Sequence, residues 1–165
     1  MVTYVIPRFE GDYHFLSNFA PSVIQIDTKN VGVLTFPTGE HMFQSLKYKA
    51  MTDESKRLDY LESVNASPAP DWAKKRGRAV KIDIVKWESI RIEMMRQTVW
   101  EKFKQNQNLV PRLLDTDSAM LVEGNTWGDT FWGRVDGRGY NLLGSILMEV
   151  RGFYRWNGAS QKWSS

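Results

Sequence analysis

The sequence predicts an α+β fold: a mostly helical single domain with a small β-hairpin or sheet over residues 1–156, then a polar, mobile tail over 157–165. Three observations carry this. Period-2 and β-branched runs gather before residue 40, the signal of half-buried strands. Apolar residues recur at helical spacing afterwards, as on the buried stripe of amphipathic helices. A length of 165 residues with 42% hydrophobic content suits one domain with a real core.

Taken in order, 4–6 reads as a short strand ended by Pro7. Residues 11–21 read as loop, because Asp, Ser, Asn and Pro punctuate its aromatics. The run 23–27 alternates at period 2 and 31–36 is apolar and β-branched, with Thr28-Lys-Asn30 between them, a hairpin pattern. Thr38 is a good N-cap for a helix reaching Ala50. Further helices are expected over 53–64, over 68–76 with a stop near Gly77, over 84–104 and over 109–114. The 84–104 helix has apolar residues on more than half its circumference, which calls for neighbours on two sides. A strand is expected at 120–123, a Gly-, Asn- and Trp-rich loop over 123–140, and a last helix over 141–154.

Composition narrows the chemistry. There is no Cys, which excludes disulfides, thiolate zinc sites and cysteine nucleophiles. His14 and His41 are too few for a three-histidine metal site, so no metal and no cofactor is expected. Apolar runs fall far short of the roughly 20 residues that span a bilayer, and the N-terminus lacks a signal pattern. A cytoplasmic protein without a membrane partner is expected. Net charge is +3, yet 72–104 holds ten basic and four acidic residues, a local balance of +6. Concentrated positive charge attracts phosphate on nucleotides or nucleic acid; the plainer alternative is a solvated helix face with local ion pairs.

Three segments fit packing poorly. On a helix begun after Thr38, Glu40, Phe43, Gln44 and Lys47 follow i, i+3, i+4, i+7 and share one face. The helix dipole should lower the Glu40 pKa; alternatively Glu40 only complements the dipole while Phe43 points inward and Lys47 is solvated. In the second segment, Trp127 and Trp132 flank Gly128-Asp129 in a loop that no regular pattern explains. Aromatic faces stack on bases and sugars, and an Asp adds polar chemistry. The rival reading has Asp129 satisfying backbone N–H groups in a turn, with both Trp capping the core. In the third, Arg78 can grip a phosphate with two donors and Trp87 can stack on a base, or they serve as surface charge and core anchor. No dinucleotide fingerprint, P-loop, zincin motif or nucleophile elbow is present.

Together these segments resemble the NADAR superfamily. The resemblance runs from about Phe15 to Arg151 through Phe15-Leu-Ser-Asn-Phe19, Pro37-Thr-Gly-Glu-His-Met-Phe-Gln-Ser-Leu-Lys47, Gly77-Arg78, Lys86-Trp87-Glu88, Lys102-Phe103, Leu121-Val-Glu123, Trp127-Gly-Asp-Thr-Phe-Trp-Gly133 and Gly139-Tyr-Asn-Leu-Leu-Gly. One departure is Gly39, where relatives often carry Ser or a similar residue. The resemblance implies a small, largely helical α+β fold and hydrolysis of N-glycosidic bonds to ribose. The substrates it implies are phosphoribosylated pyrimidine intermediates of riboflavin synthesis or ADP-ribose attached to guanine in nucleic acid. It makes Glu40, Trp87 and Asp129 the active-site positions, with Phe15, Asn18, Lys47, Arg78 and Trp132 as ligand contacts. With the residues sharing those faces, the expected site has Glu40, Asp129, Trp87 and Lys47 as catalytic groups. Phe15, Asn18, Phe43, Gln44, Arg78, Trp127 and Trp132 are then its substrate contacts.

Cleaving C1′–N gives an oxocarbenium-like ribose that a carboxylate stabilises or an activated water attacks, and Lys47 offers an amine that can capture the opened sugar as a Schiff base. The alternative of a different class is a catalytically silent module that binds ADP-ribose, a nucleotide or nucleic acid.

Overall fold

A computed structural model describes residues 4–28 and 32–162. The chain divides into two compact units, Asn18–Asn106 and, formed by both chain ends, Met1–Ser17 with Gln107–Ser165.

The Asn18–Asn106 unit opens with the expected hairpin. Strands β2 (Pro21–Thr28) and β3 (Gly32–Thr38) pair antiparallel, with Ile24 opposite Phe36 and Ile26 opposite Leu34. Residues 29–31, where the turn was expected, lie outside the described residues. Alternation buries Ser22 and Ile24 and leaves Val23 and Gln25 outside, as a one-sided sheet requires. The backbone of Gln25 is covered by a side chain: its N–H donates to Gln105 Oε1 at 2.7 Å and its carbonyl accepts from Gln105 Nε2 at 2.9 Å. That contact caps part of an open sheet edge.

Four helices follow. Helix α1 (Gly39–Ser45) starts at the predicted Thr38 cap and continues as a 3₁₀ turn over Leu46–Ala50. A 3₁₀ turn at Glu54–Lys56 leads into α2 (Arg57–Asn65). Helix α3 (Pro70–Ala79) begins with Pro in its first turn, where a missing N–H costs nothing. It runs through Gly77 rather than stopping there; that glycine serves packing instead of termination. Helix α4 (Ile84–Gln105) is capped by Asp83, whose carboxylate accepts the Lys86 N–H at 3.0 Å. Its predicted apolar band divides: Trp87, Met94, Met95, Val99 and Phe103 are buried, whereas Ile84 and Ile92 are exposed. Helix α1 is the hub, packing on α2, α3, α4 and β3, and each of its residues is buried.

In the other unit, β1 (Val5–Ile6) and β4 (Met120–Leu121) form a parallel pair. A 3₁₀ helix spans Gly11–Leu16 within the expected loop. Helix α5 (Leu109–Leu114) matches its predicted bounds. The last helix, α6 (Leu142–Lys162), is longer than 141–154, so 157–162 continue the helix. Small polar residues there do not break a helix already nucleated. The 123–140 stretch forms neither helix nor strand beyond single bridges. Among the described residues, no helix is long and apolar enough to cross a membrane.

Candidate active site

The site is built on the first turns of α1. Thr38 Oγ1 accepts the His41 N–H at 3.3 Å and lies 2.8 Å from His41 Nδ1, while His41 Nε2 is 3.1 Å from the Ser67 carbonyl. The carbonyl can only accept, so Nε2 carries the proton and the Thr38 hydroxyl donates to Nδ1. Burial holds the His41 pKa below its ordinary value, which keeps the ring neutral and the cap intact. His41 is therefore a structural residue that fixes the turn carrying Glu40. The Glu40 N–H donates to the Asn18 carbonyl at 2.9 Å. Asn18 is itself buried, with its amide nitrogen 3.0 Å from Met95 Sδ.

Glu40 is 6% exposed, and its Oε1 accepts from Gln44 Nε2 at 2.7 Å. The i, i+4 spacing read from the sequence thus becomes a hydrogen bond. Its electrostatics differ from the expectation. Burial pushes the Glu40 pKa up, outweighing the Gln44 hydrogen bond and the attraction of Lys74, Lys47 and Arg78. A dipole contribution falls off within one turn and is small beside the desolvation of a carboxylate. Gln44, expected to touch substrate, makes two bonds within the protein: its side chain donates to Glu40 and its backbone carbonyl accepts the Tyr60 hydroxyl at 2.7 Å.

Lys47 sits one turn further along the same face. Its ammonium nitrogen donates to the Gly77 carbonyl at 2.7 Å and lies 5.6 Å from the centre of the Trp87 ring. Burial, opposed by Glu40 and aided by Arg78 and Lys74, brings its pKa down to about 8. Trp87 is 8% exposed and meets the Phe43 ring at 5.5 Å between centroids. Trp87, backed by Phe43, thus presents an apolar ring to the amine.

Helix α3 supplies the opposing wall. A Cβ at Gly77 would lie 1.9 Å from Gln44 Oε1, so only glycine admits the amide there. Arg78 is exposed, and with Lys74 one turn earlier it acts on both Glu40 and Lys47. Lys74 was not singled out from the sequence as a site residue. Its signal was the i, i+4 pair Lys74/Arg78 flanking Gly77. The basic stretch therefore splits: Lys74 and Arg78 act electrostatically on Glu40 and Lys47, while Arg96–Glu93 and Lys104–Glu101 are local ion pairs on α4 and Lys102 is fully buried.

Asp129, Trp127, Trp132 and Phe15 belong to the unit formed by the chain ends. Asp129 Oδ1 accepts the N–H groups of Phe131 at 3.1 Å and Trp132 at 2.8 Å. Asn125 brackets it, accepting the Asp129 N–H at 3.0 Å and donating to its carbonyl at 2.8 Å. Gly128, at φ +87°, takes the left-handed backbone this turn needs. These hydrogen bonds give Asp129 a part in holding the turn. Asp129→Ala should cost about 1–3 kcal/mol of stability, the penalty of orphaning part-buried donors. Asp129→Asn keeps an acceptor and should retain most of that stability. Equal denaturant midpoints for parent and Asp129→Ala would contradict this. Trp127 is exposed and Trp132 half-buried. Phe15 is buried, with the Arg112 guanidinium 4.2 Å above its ring.

The NADAR domain model matches residues 7–155. The chain belongs to the NADAR domain family. Among NADAR relatives, N-glycosidase YbiA of Escherichia coli (strain K12) is 39% identical over 142 residues, covering 85% of this chain and 81% of that protein. The riboflavin biosynthesis protein PYRR, chloroplastic, of Zea mays is 33% identical over 144 residues, covering 82% of this chain and 22% of that longer protein. The NMR structure of E. coli YbiA superposes with a TM-score of 0.74 at 33% identity, covering 96% of this chain and 90% of that one. The single α+β NADAR domain expected from the motifs is thus the fold observed, and it spans both compact units.

Proposed function

We propose that this chain is an N-glycosidase that hydrolyses the bond between ribose and an amine nitrogen in phosphoribosylated pyrimidine intermediates of riboflavin synthesis. One observation carries the reading: a buried carboxylate on α1 and a partly desolvated amine on the 3₁₀ turn that continues it interact with each other and with two further cations. Relatives named as N-glycosidases and riboflavin biosynthesis proteins point the same way.

The chemistry follows from that pair. When the ring opens at C1′–O4′, C1′ becomes an imine to the departing amine. The unprotonated Lys47 amine adds to C1′, the C1′–N bond to the base breaks, and the base leaves as its free amine with a proton. Water then cleaves the lysine imine, releasing the sugar aldehyde and regenerating the amine. The balance is substrate plus water giving base plus ribose phosphate, so the reaction consumes no cofactor. Glu40 faces the cationic carbon in each step and shuttles the protons. An amine at a pKa of about 8 is about one-tenth unprotonated at pH 7, against well under one-thousandth for an ordinary lysine. The three cations around one carboxylate favour an anionic substrate, which fits the phosphate; the reading is of a cytoplasmic enzyme.

A second substrate, ADP-ribose on guanine in nucleic acid, is favoured by the exposed basic residues Lys75, Arg76, Lys81 and Lys86 beside Arg78. The experiment offers purified protein both substrates and identifies released base and sugar by mass spectrometry. Base release from the pyrimidine alone supports the first reading, release from guanine alone the second, and release from neither overturns the assignment. Arg78→Ala should weaken phosphorylated ligands about 10–100-fold, the value of a charged hydrogen bond, and leave dephosphorylated analogues nearly unchanged. Equal weakening of both in titration calorimetry would remove Arg78 from phosphate recognition.

A further inference from the structure

We propose that Gly77 is the positioning residue of the site, holding the Glu40 carboxylate and the Lys47 amine apart so that they do not collapse into an ion pair. The inference rests on the glycosidase reading for its purpose and on α1–α3 packing for its substance.

Glu40 and Lys47 attract each other, and side chains seven residues apart on a helix lie two turns apart on the same face. Left free, a flexible lysine would swing onto the carboxylate. Two contacts prevent this, and both are made to Gly77. Its carbonyl takes a hydrogen from Lys47 Nζ at 2.7 Å. Its bare Cα face receives Gln44 Oε1, 1.9 Å from where a Cβ would stand, which leaves Gln44 Nε2 directed at Glu40 Oε1 at 2.7 Å. Gln44 is 5% exposed and the oxygen against Gly77 has no hydrogen-bond partner, so the amide is oriented by its donation to Glu40 and the bare Cα leaves room for the oxygen. Each reacting group is thereby occupied by a neutral partner. An amine that gives one hydrogen to a carbonyl presents its lone pair on the opposite side, where an electrophilic carbon can approach.

The groups facing Lys47 are Glu40 from its own helix and Lys74 and Arg78 from α3, with the uncharged Trp87 ring from α4. A methyl at residue 77 must push α3 from α1 or drive the Gln44 amide aside. Displacing the amide frees Glu40, and the shift of α3 also takes the Gly77 carbonyl away from Lys47.

The test uses the full chain with ¹³C-labelled lysine, following the Lys47 Cε resonance against pH, together with kcat and KM on the cleaved substrate. In the parent, Lys47 titrates near 8. In Gly77→Ala it should titrate at least about one pH unit higher, because the freed ammonium pairs with Glu40, and kcat should fall about 10-fold or more with KM changed less than 3-fold. The double variant Gly77→Ala/Gln44→Ala gives the methyl room. There Lys47 should return to near 8 while kcat stays low, since Glu40 has lost its anchor. Unchanged titration and kcat in Gly77→Ala overturn the proposal, and so does a double variant that recovers full kcat, which would make Gly77 a packing residue only. Should the single variant not fold, the double variant decides alone: a shifted Lys47 or full kcat refutes the inference. The NMR titration needs no substrate, so a failure of the glycosidase assignment would appear separately, as absence of turnover in the parent.

Discussion

Glu40→Gln is expected to lower turnover by about 10²-fold or more, the value of a lost acid–base group, while the protein folds and binds as before. The amide has the shape of the carboxylate and can still accept from Gln44, so the α1–α3 contact survives. The stability side gives the sharper signature. Burial raises the Glu40 pKa above the ordinary 4.5, so between that value and its raised one the native state holds the proton more tightly than the unfolded chain. Stability is then greatest at low pH and falls as pH rises through that window, because each native molecule must bury a charge. Glu40→Gln removes this loss. Its melting temperature should equal or exceed that of the parent at pH 7 and should lack the parent's decline across the acid window. A carboxylate placed only to complement a helix start would behave in the opposite way, and its removal would lower the melt at neutral pH. Unchanged turnover in Glu40→Gln would remove it from the chemistry.

Much of this arrangement was legible along the chain. The Thr38 cap, the i, i+3, i+4, i+7 stripe from Glu40 to Lys47, the hairpin and the bounds of α4 and α5 follow from local rules, because each depends on residues within two turns. What was not legible depends on tertiary approach. The helix through Gly77 reads as a stop, since glycine disfavours helix interiors; α3 in fact runs on to Ala79, and the glycine leaves the space that Gln44 occupies. Gln44 reads as a ligand contact because it lies on the polar face, and its partner turns out to be Glu40. The sign of the Glu40 shift could not be taken from a helix-start position, because desolvation depends on α3 and α4, distant in sequence. For Asp129 both readings are visible in the sequence, and the hydrogen bonds from Phe131 and Trp132 show its part in the turn.

Lys47→Met should abolish turnover, by about 10³-fold or more, because the amine that adds to C1′ is gone. Methionine keeps the length and apolar stem over Trp87, so packing is nearly conserved. Three further measurements tie the effect to the amine itself. Turnover of the parent should rise about tenfold per pH unit at neutral pH and level off above about 8, where Lys47 becomes unprotonated. Borohydride added during turnover should reduce the imine to a secondary amine and fix the sugar to Lys47, which peptide mass spectrometry would read as a phosphoribityl adduct on that residue. Stability should move as well. The folded-state pKa of about 8 lies below the ordinary 10.5, so between these values the unfolded chain holds more protons and the native state gains stability as pH rises. Below pH 8 the ammonium is buried at full cost, and Lys47→Met should there be at least as stable as the parent, with a flat melt between pH 8 and 10. A lysine acting only as a donor to the leaving base gives a different set of results. Turnover would then fall above pH 8, no adduct would be trapped, and Lys47→Arg would retain activity because guanidinium still donates. Adduct formation with loss of activity in both Lys47→Met and Lys47→Arg selects the covalent route, since guanidinium stays protonated and cannot add to C1′.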